Sequence, residues 1–382
     1  MNGLSEKPLL FLSLVCVVPF MILILEHKRT HRLKKYFNMR KELRHIKRDM
    51  KRNKHNAKLN NALQSTLIGR NIKNKPIYTP DNAKHIFVCG TTGTGKTVAL
   101  SNYIKSGVEK DYPMLVIDGK GDTGAGSIYD IVKRLKGNKP LYVINLTNPL
   151  KSDFYNPFKN ASPTIAKDML INLTDWSEEH YKLNTERYLQ RLLNLLILNK
   201  TSFSFKSIIS YMSIAKFIEL SSQLLKNGKI TQNEHLENME LAKTSGKIAE
   251  GAFARFSLIS ESELGYIFDP TGIDIYTALQ ENAIILFILN PLIYPEMSPL
   301  IGRMVLIDSK KALSQMFHKN NNRTFFIMDE INAYASTVLI DLVNKSRSAN
   351  TTCILATQSL SDLDYAVNDS FKEQIIENCV RP

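Results

Sequence analysis

Residues Gly90-Thr91-Thr92-Gly93-Thr94-Gly95-Lys96-Thr97 follow directly on the apolar run His85-Ile-Phe-Val-Cys89 and precede a helix-compatible stretch from Val98 to Lys105. A glycine-rich turn set between a buried strand and a helix admits few folds, because the strand must end beside the helix N-terminus. In that arrangement the glycines let successive backbone N–H groups converge on phosphate oxygens. Lys96 then reaches the β- and γ-phosphates, and the Thr97 hydroxyl is offered to Mg2+. ATP and Mg2+ are therefore the expected cofactors, cradled by Gly90, Thr91, Thr92, Gly93, Thr94, Gly95, Lys96 and Thr97. A chance match to this pattern in a chain of such length has odds on the order of one in a hundred. The plain alternative is a Gly/Thr-rich turn between a core strand and a helix.

Such a site needs a second strand that ends in a carboxylate. Arg323-Thr-Phe-Phe-Ile-Met-Asp329-Glu330 supplies an apolar run leading into an acidic pair. Asp329 is expected to coordinate Mg2+, directly or through water. Glu330 is expected to orient and deprotonate the attacking water as general base. An apolar run closed by Asp-Glu is common by itself, and its plain alternative is an exposed strand end. Further runs at 114–117, 141–146, 283–289 and 351–356 read as parallel strands buried on both faces. Helical patterns alternate with them, so the expected fold is α/β, a RecA-like P-loop NTPase with a doubly wound, mostly parallel sheet.

Gly119-Lys-Gly121-Asp-Thr-Gly124 also matches a dinucleotide fingerprint after a strand. The next strand ends at Asn145-Leu146 without an acid to hold a ribose, and Asp118 and Asp122 would repel a pyrophosphate. It reads instead as a Gly-rich loop at the C-terminal sheet edge. Between 164 and 265 strand signals give way to helical periodicity, with Tyr188, Leu189, Leu192, Leu193 and Leu196 on one face. This predicts an all-helical insertion in the sheet, its leucines serving core or interface.

The formal net charge is +14, yet residues 1–75 hold 18 Lys/Arg and four acids, so the remainder is balanced. Any nucleic-acid contact beyond residue 75 must then come from local patches or a pore. From Pro8 to Leu25 eighteen residues carry no charge, close to the lower limit for a membrane-spanning helix. A cleaved signal peptide is disfavoured by the absence of an Ala-x-Ala-like site and by the cations that follow. The positive-inside rule places the N-terminus outside and the rest in the cytoplasm, giving a single-pass membrane protein. Residues 27–58 are basic nearly throughout and are expected to lie on an anionic membrane surface, with a nucleic-acid-binding arm as the alternative. Four cysteines lack metal-ligand spacing and read as reduced thiols. The expected layout is an anchor over 1–26, a basic linker over 27–75, an ATPase domain over 76–163 and 266–382, and a helical insertion domain over 164–265.

The motif order resembles the conjugative coupling proteins of type IV secretion, membrane-anchored hexameric ATPases of the FtsK/HerA group. The residues that carry the resemblance are the P-loop, Ile117-Asp-Gly-Lys-Gly-Asp122, Ser152-Asp-Phe-Tyr-Asn-Pro-Phe158, Phe268-Asp-Pro270, Asp329-Glu330, and Ser346-Arg347 leading into Ile354-Leu-Ala-Thr-Gln-Ser-Leu360. The resemblance implies that Gln358 is a polar sensor touching the γ-phosphate and attacking water. It implies that Arg347 is an arginine finger acting on a neighbouring subunit's site, with Lys345 and Arg323 weaker candidates. It further implies a homo-hexamer that couples ATP hydrolysis to transfer of DNA, or a DNA–protein conjugate with a relaxase-type protein, into a type IV secretion channel. The alternatives are a DNA translocase unconnected with secretion and a nucleotide-binding scaffold that recruits protein substrates. Members commonly carry two spans and continue into a further strand, so the ATPase domain is expected to be C-terminally incomplete at Pro382.

Overall fold

A computed structural model describes residues 64–82, 85–317, 322–364, 367 and 370–379. The expected span over 8–25 and the basic run over 27–58 lie outside the described residues. Among those described, no helix is long and apolar enough to cross a membrane.

The described residues open on a two-stranded antiparallel hairpin, β1 (Ser65–Arg70) and β2 (Pro76–Pro80). Then follow β3 (Ile86–Cys89), α1 (Lys96–Glu109), β4 (Met114–Asp118), α2 (Ile128–Leu135) and β5 (Leu141–Asn145). A helical stretch comes next: α3 (Pro163–Ile171), α4 (Glu179–Leu198), α5 (Phe205–Met212), α6 (Ile214–Lys226), α7 (Gln232–Leu241), a π-helical turn over Ala242–Gly246, α8 (Lys247–Glu261) and α9 (Ile275–Gln280). The chain then returns to the sheet as β6 (Ile284–Ile288), α10 (Met297–Met316), β7 (Thr324–Asp329), α11 (Thr337–Ser346), β8 (Thr351–Thr357) and α12 (Phe371–Asn378).

The main sheet has six strands in the order β3-β8-β7-β4-β6-β5, all parallel. Every residue of β4, β6, β7 and β8 is buried, which is why these strands read as mostly apolar runs with no alternation. One apolar core lies between the sheet and the helical stretch and joins Ile117, Phe287 and Phe326 to Tyr188, Leu192 and Phe217. The leucines of α4 therefore serve the core. Caps set the ends of these helices: Ser127 accepts from the Asp130 amide at α2, and Thr231 forms a reciprocal capping box with Glu234 at α7. α6 stops where Gly228 adopts φ +62° and the Lys229 amide reaches back to the Leu224 carbonyl.

The linker expected to reach residue 75 is corrected at its end. Ser65–Arg70 is a strand, and residues 65 onward belong to the same compact unit as the sheet. Thr66 Oγ1 donates to Asp81 Oδ1 at 2.7 Å and lies 2.8 Å from Ser106 Oγ on α1; Asn102 Nδ2 on the same helix donates to the Ile68 carbonyl. The charge bias of the upstream segment masked a short strand that carries a register shift between Leu67 and Gly69.

Candidate nucleotide site

The site forms at the C-terminal edge of the sheet, where β3, β8 and β7 end side by side. Gly93 and Gly95 take φ values of +84° and +91°, conformations open to glycine at little cost, and a Cβ on either would meet empty space. The loop is braced by Thr94, whose amide and hydroxyl both donate to the Thr91 carbonyl. Gly95 caps α1, so the first N–H groups of that helix have no intrahelical acceptor and face the concave loop. A ready anion cradle results.

Sheet order does the rest. Because β8 is inserted between β3 and β7, the residue after β8 is held between the P-loop and the acidic pair. Gly90 N donates to the Thr357 carbonyl at 3.2 Å, tying the two strand ends. Lys96 Nζ lies 2.5 Å from Glu330 Oε1 and 3.4 Å from Asp329 Oδ1, with all three side chains at most 10% exposed. Gln358 Nε2 donates to the same Glu330 oxygen at 3.0 Å. Glu330 holds this pose with φ +48°, left-handed for a non-glycine residue, and its amide donates to Asp329 Oδ1. Strain of this kind persists where neighbours over-determine it. Burial pushes the Asp329 carboxyl above the usual carboxylate range, with Lys96 opposing. A cation near Asp329 would relieve that burden.

Four expected residues thus meet: Lys96, Asp329, Glu330 and Gln358. Thr97 follows Lys96 in the first turn of α1. Arg347 is not among them. It is exposed, in the short turn before β8, at the strands' opposite end. The seven residues of β8 put it about 20 Å from Gln358. Arg323 is committed elsewhere, donating to the Asp81 carbonyl and Thr352 Oγ1. Among the described residues no cluster of three His, Cys, Asp or Glu forms a cage for a metal. Mg2+ needs none, since it is held by one or two protein oxygens together with phosphates and water. Thr97, Asp329 and the glycine cradle are a donor set that fits it.

Asp118 is the residue that sequence reasoning missed. It ends β4 in register with Asp329 on β7 and is 2% exposed. Gly119 lets the two strand ends approach, since a Cβ there would sit 2.8 Å from the Glu330 carbonyl and 2.9 Å from that of Asp329. Burial raises the Asp118 carboxyl to about 7, and Asp329 adds to the rise. The pairing depends on strand order, which no local signal carries. Gly121 (φ +79°) would bring a Cβ within 3.0 Å of the Asn290 backbone, so this loop's glycines serve close packing at the sheet edge.

An acid raised in the folded state costs nothing below the unfolded carboxylate value near 4. The cost grows as pH rises to about 7 and is constant above. Asp118→Asn is therefore expected to stabilise the metal-free protein by roughly 2–4 kcal/mol at pH 8 and by far less at pH 4. Thermal melts in EDTA check this, and an equal effect at both pH values would contradict it.

The fold and site define a P-loop NTPase with an added strand between the P-loop strand and the acidic strand. A family model, that of the FtsK/SpoIIIE family, matches residues 42–135. Among solved structures, the conjugative coupling protein TrwBdeltaN70 aligns at TM-score 0.58 and 18% identity, covering 84% of this chain and 72% of that one. TrwB with ADP and Mg2+ aligns at 0.56 and 18%, covering 81% and 72%. VirB4 of Thermoanaerobacter pseudethanolicus aligns at 0.51 and 13%, covering 84% and 83%. An uncharacterized protein of Mycoplasma pneumoniae is 33% identical over 78 residues, which is 20% of this chain and about half (52%) of that protein.

Proposed function

We propose that this chain is a membrane-anchored, Mg2+-dependent ATP hydrolase that works as a ring, homo-hexameric by resemblance, and drives DNA or a DNA–protein conjugate toward a type IV secretion channel. The observation that carries the hydrolase reading is the convergence of Lys96 and Gln358 on one oxygen of Glu330. Bound Mg2+ would supply charge neutralisation at the phosphates, held by Thr97 and Asp329. Lys96 is paired to the carboxylates here, so an incoming γ-phosphate must take the ammonium from Glu330. Glu330 is thereby released to take a proton from water, while the Gln358 amide orients that water. Lys96 is the one cation placed at the carboxylates among the described residues, which supports the assignment of Arg347 to a neighbouring subunit's site. TrwB is described with ADP and Mg2+ and as a conjugative coupling protein, which supports the cofactor and the class of task.

The full chain in detergent or vesicles is expected to release phosphate from ATP and to do so faster with DNA, while Lys96→Ala falls to background. Loss of an oriented charge contact of this kind costs about a hundredfold or more. Hydrolysis no greater than the Lys96→Ala control would sink the motor, and hydrolysis indifferent to single- and double-stranded DNA would point to protein substrates.

A further inference from the structure

The β1–β2 hairpin carries an unusual outer face. Leu67 and Tyr78 are cross-strand partners and both are exposed, at 39% and 50%. Ile72, at the tip of the turn, is fully exposed. Single exposed apolar side chains are ordinary, but here three share one small hairpin. Residues 65–80 also contain Arg70, Lys73 and Lys75 and no acid.

The tip is held in place. Asn71 Oδ1 accepts from the Lys73 and Lys75 amides, each at 2.9 Å, and the Asn71 amide donates to the Lys75 carbonyl at 2.9 Å. Arg70 Nη1 reaches the Asn74 carbonyl, and Asn74 takes the left-handed φ of +56° that closes the turn. Ile72 is thus presented outward by a built turn.

We infer that this hairpin, through Ile72 at its tip, the cross-strand pair Leu67 and Tyr78 and the cations Arg70, Lys73 and Lys75, is a docking surface for an anionic lipid bilayer. Cations without acids complement anionic headgroups, and an exposed tyrosine paired with a leucine suits the headgroup level. A nucleic acid would take the cations but leaves Ile72 unused. The hairpin is also clamped to the helix that opens at the P-loop. Lys110 Nζ, at the end of α1, lies 2.5 Å from Asp81 Oδ2, whose other oxygen accepts from Thr66 on β1. Contact at the tip therefore fixes the tilt of α1 and of the nucleotide site relative to the membrane. The inference rests on the membrane location proposed above.

The test uses the full chain on vesicles. Trp176, the chain's one tryptophan, gives the baseline and Ile72→Trp adds a reporter at the tip. With phosphatidylglycerol present, the added indole is expected to shift to the blue and to be quenched by brominated lipid. In phosphatidylcholine alone it should do neither. Lys73→Glu with Lys75→Glu should lower the ratio of quenched to unquenched tip, about fivefold for each cation lost. A chain that floats with vesicles while its tip stays unquenched overturns the inference and leaves the anchoring intact. A tip that responds to DNA and not to vesicles overturns it in favour of nucleic acid. A chain that does not float at all removes the membrane location and the docking surface together.

Discussion

Glu330→Gln is expected to abolish ATP turnover while leaving nucleotide binding in place. A positioned general base contributes about 100- to 10,000-fold, so hydrolysis should fall by that factor. That corresponds to roughly 3–5 kcal/mol in the barrier. Binding should survive because the amide keeps an oxygen for Lys96 and Gln358, which lie 2.5 and 3.0 Å from the carboxylate it replaces. It should even tighten, since Lys96 would no longer be neutralised by a carboxylate at 2.5 Å and would be freer to meet a phosphate. Gln358→Ala is the informative companion, because it removes the orienting amide and leaves both the base and Lys96. Titration with a fluorescent nucleotide and a phosphate-release assay separate the two quantities. Turnover above about a tenth of the parent in Glu330→Gln would show that the base lies elsewhere, with Asp118 the next group to examine.

The same site shows how far the sequence could be read. The P-loop and the Asp329-Glu330 strand are local patterns and carry their chemistry in the order of residues. Strands β4, β6, β7 and β8 were legible because a strand buried on both faces is mostly apolar and shows no polar–apolar alternation. What could not be read is lateral order. Nothing local in Thr351–Thr357 says that it lies between β3 and β7, yet that placement brings Gln358 to Glu330. The pairing of Asp118 with Asp329 is hidden for the same reason, since the motif around Asp118 does not say which strand lies beside it. The hairpin was missed through composition. Ser65–Arg70 is six residues with a bulge, downstream of a run of cations, and its partner strand starts and ends with proline. Its anchoring to α1 runs through Thr66, Asp81 and Ser106, all distant in sequence.

A larger effect on stability is expected where the sheet meets the helical stretch. Lys311 on α10 is 4% exposed in its side chain and lies 2.9 Å from Asp308 Oδ1 and 3.4 Å from Asp274 Oδ2. Its Nζ also donates to the carbonyls of Pro157 at 2.7 Å and Lys159 at 3.2 Å. Asp308 accepts in turn from the Tyr155 hydroxyl and the Ile275 amide. The knot joins the segment after β5, the start of α9 and the middle of α10, so it closes the seam on both sides of the inserted helices. Lys311→Met removes the cation that, among the described residues, pairs with two carboxylates at most 1% exposed. Breaking a buried pair on one side costs on the order of 3–5 kcal/mol. The deficit should depend on pH in a definite direction. Burial already holds the Asp308 carboxyl above its ordinary value, with Lys311 opposing, and loss of Lys311 raises it further. Stability lost through a raised carboxyl is absent below the unfolded value near 4 and complete above the folded one. The variant should therefore lie closest to the parent near pH 5 and furthest from it at pH 8, as read by urea unfolding. A deficit that is the same at both pH values would mean that Lys311 acts through its carbonyl contacts and chain packing, with the carboxylates already protonated.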